Sequence, residues 1–86
     1  MLIVIVRMEQ TCRDLCEVSY AYWDTVRYQL NLLPARIEHL AFGSAVSFTL
    51  LTRSSEREKV LDTLNQTTAR TMISLFDGET FDAWDV

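Results

Sequence analysis

Two glycines, one proline, one histidine and two cysteines in 86 residues leave little from which a catalytic or cofactor site can be built. A phosphate cradle needs several glycines in one loop, and Gly43 and Gly78 stand far apart. A closed zinc site needs four donors of the His and Cys type. His39, Cys12 and Cys16 are all the chain has. No Ser-His-Asp or Cys-His spacing is present. Long apolar runs are missing too. Met1-Leu2-Ile3-Val4-Ile5-Val6 is cut by Arg7, is far too short to span a bilayer, and lacks the basic flank and cleavage pattern of a signal peptide. These absences predict a noncatalytic protein with no cofactor, no metal and no membrane association. Two thiols in such a chain are expected to be free and reduced, which suits a cytoplasmic location.

About half the residues are hydrophobic, which is enough for one small folded domain spanning residues 1–86. The net charge is −4, and it is unevenly placed. Residues 1–76 carry 8 basic and 8 acidic side chains, so the excess is Asp77, Glu79, Asp82 and Asp85. Residues 77–86 therefore read as an acidic tail. A neutral body with such a tail lacks the positive field of a nonspecific nucleic-acid binder.

The clearest local signal is a β-hairpin over Ala35 to Thr52. Gly43-Ser44 is predicted to form a two-residue type II′ turn with Gly43 at φ > 0. Pairing outward sets Ala41 opposite Val46, His39 opposite Phe48 and Ile37 opposite Leu50 on one apolar face. The other face carries Arg36, Glu38, Ser47 and Thr49, with Leu40, Phe42 and Leu51 as apolar exceptions. A one-residue slip would exchange the two faces.

Upstream, Trp23, Val26, Leu30 and Leu33 recur at helical spacing, and Pro34 ends the pattern, predicting a helix over Ala21 to Leu33. Downstream, Ser55 and Glu58 have the spacing of a capping box, followed by the stripe Val60, Leu61 and Leu64 of a helix reaching Thr67. Thr71 to Phe76 is a short strand ended by an Asp77-Gly78 turn.

The first twenty residues admit two readings. A strand over Met1 to Met8 would leave a helix of about 23 residues, roughly 35 Å long, which is too long for this domain. A strand over Cys12 to Tyr20 instead turns Cys16, Val18 and Tyr20 to one face and Leu15, Glu17 and Ser19 to the other. The second reading is preferred. It gives a ferredoxin-like βαββαβ sandwich of the α+β class, an antiparallel sheet with two helices on one face. Residues 1–11 are then an extra strand or an arm.

The run from Cys16 to Phe76 resembles the C-terminal domain of the IMPACT/YigZ family. The matching features are Glu17-Val18-Ser19-Tyr20 entering the helix, the spacing through Val26 and Leu30 to Ile37, and Phe42-Gly43 where the family has Tyr-Gly. Val46-Ser47-Phe48-Thr49-Leu50, the second helix, Asn65-Gln66-Thr67-Thr68 and the last strand complete the match. The family's larger N-terminal domain is absent, and its glycine after the second helix is replaced near Ala69-Arg70. The resemblance implies a ferredoxin-like interaction domain linked to translation control, since eukaryotic relatives bind a regulator of a translation-factor kinase.

Individual residues have plain structural readings. Cys12 and Cys16, four apart on a strand, lie about 13 Å from each other, too far for a disulfide, and read as small buried hydrophobes. His39 reads as a histidine at the edge of the core, with no acid or nucleophile beside it. Tyr20, Tyr22, Trp23 and Tyr28 read as core and rim packing, and Arg13, Arg27, Arg36 and Arg53 as a solvated surface. Phe81 and Trp84, set among acids, are either a docking peptide or a cap folded back on the sheet.

The expectation is an interaction or regulatory module with a protein partner, contacting it through Leu40, Phe42, Leu51, Phe81 and Trp84. The exposed hairpin face and the free N-terminal segment predict a homodimer. Two alternatives are RNA or other nucleic-acid binding on the open sheet face, which the fold favours and the charge opposes, and a small-ligand sensor between subunits.

Overall fold

The computed structural model of the chain describes residues 6–85. Six elements follow one another: β1 (Val6–Val18), α1 (Tyr20–Leu32), β2 (Ala35–Phe42), β3 (Val46–Arg53), α2 (Arg57–Thr67) and β4 (Ile73–Asp85). All strand pairs are antiparallel, in the order β2-β3-β1-β4. This is the ferredoxin-like α+β fold read from the sequence, with its split βαβ connectivity.

The helices form where their stripes predicted. Ser19 caps α1 by accepting the Ala21 N–H at 3.3 Å, so the strand before it ends at Val18 rather than Tyr20. Trp23, Val26 and Leu30 are its buried residues, and Val60 and Leu64 those of α2. They meet Cys16, Val18, Val46, Phe48 and Leu50 on the sheet's helix-facing side. The capping box expected at α2 is not made. Glu56 takes the N-cap position in the αR region and offers no side-chain cap, leaving Ser55 outside the helix. At the other end Thr68 Oγ1 donates to the Leu64 carbonyl at 2.9 Å, and both Ala69 and Arg70 are left-handed, at φ 52° and 62°.

Three sequence expectations are corrected, each by a shift of register or length. First, the hairpin is paired as predicted only away from its turn, with Ile37 opposite Leu50. Two β2 residues, His39 and Leu40, then face one on β3, and the register resumes with Ala41 opposite Ser47 and Phe42 opposite Val46. This is a β-bulge, and the left-handed residue is His39 at φ 54°, not Gly43. The extra residue exchanges faces between the bulge and the turn. Phe42 therefore lies on the helix side, edge-on to Trp23 at 6.1 Å, and His39 is exposed beside Glu38 rather than facing Phe48 on the apolar side.

Second, β1 begins at Val6, so residues 6–11 are its first half and not a separate strand or arm. Met1 to Ile5 of the predicted arm lie outside the described residues.

Third, Asp77-Gly78 is not a turn. The pair bulges opposite Arg13, between Cys12–Glu79 and Asp14–Phe76, with Gly78 at φ 109° where a side chain would be strained. β4 therefore continues to Asp85, and the acidic segment is strand, paired residue for residue with the start of β1.

That pairing closes part of the sheet's outer face. Beyond Arg53, β1 and β4 continue as a two-stranded ribbon, which curls across the face away from the helices. Trp84 lands there and is 7% exposed; its Nε1–H donates to Thr11 Oγ1 at 2.9 Å. The guanidiniums of Arg36 and Arg53 lie 4.1 and 4.8 Å from its ring centroid. Asp82 on the same ribbon reaches Arg36 on the far edge strand at 3.0 Å. Leu51 and Thr11 are fully covered as a result. Trp84 is thus a fold-back cap.

Phe48→Ala should cost about 3–5 kcal/mol in urea melts, while Ser47→Ala on the outer face should cost less than about 0.5 kcal/mol. Trp84→Ala should approach the Phe48 value; a loss under about 1 kcal/mol would mean that the ribbon does not hold the outer face. Ala69→Gly should raise stability by about 0.5–1 kcal/mol by relieving the left-handed backbone, an effect read directly from the melting curve.

Candidate interaction surface

Reactive groups do come together at one place, where the sheet passes under the start of α2. Asp14 on β1, 1% exposed, accepts two hydrogen bonds from Arg57 at 2.9 and 3.1 Å. That pairing raises the Arg57 pKa above its ordinary value. The guanidinium also lies over the Phe76 ring at 4.9 Å. One step along the strand, Cys12 Sγ sits 3.5 Å from Ser54 Oγ and 3.8 Å from a Glu79 carboxylate oxygen. The cluster is a structural joint between β1 and the start of α2. Its thiol is buried, and its guanidinium is already committed to Asp14. Among the described residues no three His, Cys, Asp or Glu side chains gather closely enough to hold a metal ion.

The second thiol, Cys16, is held in its protonated form. Burial pushes Cys16 up to about 12, and the neighbouring Asp14 adds to the rise. Both cysteines are free, buried and on the helix side of β1.

The five residues expected to contact a partner do not converge. Leu51 is 1% exposed and Trp84 is buried over the outer face, so neither is available for docking. Phe42 and Leu40 are exposed at the hairpin end, on the β2 edge. Phe81 is exposed on the opposite edge, on the side of the ribbon away from Trp84. An apolar surface does form elsewhere. On the outer face Leu15 stands opposite Leu75, and Ile73 is next to Leu75 on that face. The three are 41%, 65% and 61% exposed. Phe76 is half exposed at the same edge, on the helix side.

The sequence carried part of this signal. Period-two alternation places Leu15 on the face away from Cys16 and Val18, and the same alternation in Ile73-Ser74-Leu75 marks two outward apolar residues. The missing piece was strand order, which puts these residues together at an edge.

β4 is that edge. By the strand order its outward N–H and C=O groups have no neighbouring strand among the described residues. From Ile73 to Phe76 the edge has no charge, and from the bulge onward it carries Asp77, Glu79 and Asp82. The outer face also holds Arg13, Arg36 and Arg53, which are matched by Asp77 at 3.9 Å, Asp82 at 3.0 Å and Glu9. These three guanidiniums are thus already paired within the chain. A cavity of about 290 Å³ lies between the ribbon tip and the α1–β2 connection, lined by Leu33, Pro34, Arg36, Arg53 and Trp84. Asp82 already holds its Arg36 guanidinium. No described helix is long and apolar enough to cross a membrane.

No protein-family model matches the chain, and no curated protein is significantly similar to it.

The Cys16 thiol gives a pH test. Its ordinary value is 9.0 and its folded value about 12. Because the folded value is the higher one, its contribution to stability is complete below about pH 9 and is lost as the pH rises towards 12. The wild-type denaturation midpoint should fall across that window more steeply than that of Cys16→Ala. Parallel curves would show that the thiol ionises freely in the folded state.

Proposed function

We propose that this chain is a noncatalytic interaction module that docks through the open flank of its sheet. The flank consists of the edge of β4 from Ile73 to Phe76, with Leu15 beside it. The observation that carries the proposal is the uncharged apolar edge itself. Folded domains normally blunt such edges with charge, proline or a covering element. Here the charged residues begin only at the bulge, while Ile73 and Leu75 are more than half exposed. The deep burial of both thiols and the closed Asp14–Arg57 pair support a structural role for the chain's reactive groups.

The resemblance to the IMPACT/YigZ C-terminal domain suggests the setting. In that reading the flank serves a translation-linked assembly, with the domain acting as a regulatory piece. The internal pairing of Arg13, Arg36 and Arg53 favours a protein partner over RNA.

The test is co-sedimentation of the tagged chain with ribosomal particles from its source cells, comparing wild type with the double variant Ile73→Asp, Leu75→Asp. Both positions are exposed, so the variant should fold with an unchanged melting temperature and stay at the top of the gradient while wild type sediments. Wild type remaining at the top would remove the translation link. Sedimentation by both proteins would move the docking surface off this flank. A salt-sensitive gel shift with single-stranded RNA would favour the nucleic-acid alternative.

A further inference from the structure

We propose that the cavity beneath the tip of the β1–β4 ribbon is a binding site for a small monocarboxylate with an apolar body. The site is separate from the β4 flank and does not depend on the flank being a docking surface.

The cavity, of about 290 Å³, exists because distant segments meet. Leu33 and Pro34 come from the α1–β2 connection, Arg36 and Arg53 from β2 and β3, and Ala83 and Trp84 from the ribbon. Two of these residues are cations, and no carboxylate among the described residues lines the cavity. Small ligands favour such hollows, mostly apolar with a few placed polar groups, and of roughly 300–1,000 Å³. This one is at the lower end of that range, which suits a molecule of one ring.

Arg36 supplies the recognition. A guanidinium presents its N–H donors in a planar fork that a carboxylate can fill with both oxygens. Arg57 is a filled fork, taken by both oxygens of Asp14 at 2.9 and 3.1 Å. Arg36 is held differently. Asp82 reaches only its Nη2, at 3.0 Å, because the other Asp82 oxygen accepts the Ala83 N–H at 2.8 Å. The Nε and Nη1 groups of Arg36 have no acceptor among the described residues. The Trp84 ring, 4.1 Å from this guanidinium, keeps it at the cavity wall. Arg53, 4.8 Å from the same ring and paired with Glu9, adds a second positive charge beside it.

The class of ligand follows from these groups. A carboxylate matches the remaining donors of Arg36 in charge and shape. A dianion suits the site less well, because Asp82 and Glu9 hold the two guanidiniums and repel the extra charge. Leu33, Pro34 and Ala83 bring no hydrogen-bonding side chain, so the rest of the molecule is apolar. A ligand seated there touches β2 and the ribbon together, and so holds the Trp84 cap in place.

The experiment is calorimetric titration of the full chain with benzoate, benzamide and inorganic phosphate, accompanied by thermal melts. Benzoate is expected to bind in the millimolar range or tighter and to raise the melting temperature. Benzamide and phosphate should bind about tenfold more weakly or not at all. Arg36→Gln should weaken benzoate roughly tenfold or more. Ala83→Leu, which fills the cavity and keeps both guanidiniums, should abolish binding, and it serves as the test where Arg36→Gln fails to fold. Arg27→Gln removes an exposed guanidinium paired with Asp24 on α1 and should leave the affinity unchanged. Absence of benzoate binding at millimolar concentrations overturns the assignment, as does equal binding of benzamide or phosphate. Wild-type affinity in folded Arg36→Gln or Ala83→Leu overturns it as well. The Ile73→Asp, Leu75→Asp variant should bind benzoate as wild type does, so failure of the docking flank and failure of this site are read separately.

Discussion

Strand β1 is longer than the partner on one of its sides, and much of the structure follows from that mismatch. Over Thr11–Glu17 it lies between β3 and β4, the β4 ladder broken only at the bulge opposite Arg13. From Val6 to Gln10 the ladder continues on the β4 side alone. Backbone groups that lose one neighbour strand must find water or a tighter twist, and two-stranded ribbons twist more strongly than wide sheets. The ribbon therefore coils. Its coiling carries Trp84 across three strands to Arg36, an arrangement that a flat sheet would not allow.

The Asp14–Arg57 pair sits where the coiled and regular regions meet. Asp14 is the first β1 residue past the β4 bulge, on the helix side, and Arg57 opens α2. A carboxylate so deeply buried is tolerated because the guanidinium supplies two hydrogen bonds and the opposite charge. The pair also ties the first turn of α2 to the central strand. The left-handed Ala69 and Arg70 then return the chain from that helix to the edge, in a conformation a glycine would adopt with less strain.

The core and element order were legible because they rest on local periodicity. Trp23, Val26 and Leu30 at helical spacing, Val60 with Leu64, and alternation through Cys16 and Val18 each determine a face without knowledge of neighbours. The bulges were not legible, since a bulge depends on which residue of the opposite strand remains unpaired. His39 took the left-handed conformation expected of Gly43, and Phe42 changed sides with it. Asp77-Gly78 has the composition of a turn, and only the long-range pairs on either side of it, Cys12 with Glu79 and Asp14 with Phe76, make it part of a strand. The same limit governed the surface residues. Leu51 and Phe42 have similar local patterns, yet Trp84, far downstream of both, covers one and leaves the other in solvent. Leu15 and Leu75 lie near opposite ends of the chain, and only strand order makes them neighbours.

Val6 opposite Asp85 closes the described ladder, so both ends of the fold emerge side by side at one tip of the ribbon. A pull applied between these ends would load the ladder one residue pair at a time, as in opening a zipper, rather than shearing all its bonds together. Resistance should be low along the ribbon and rise at Thr11, where β3 begins to hold β1 from the other side. A tethered copy of this domain would then yield in two stages: the ribbon would peel away with Trp84, and the helix-backed sheet would hold until larger forces were reached.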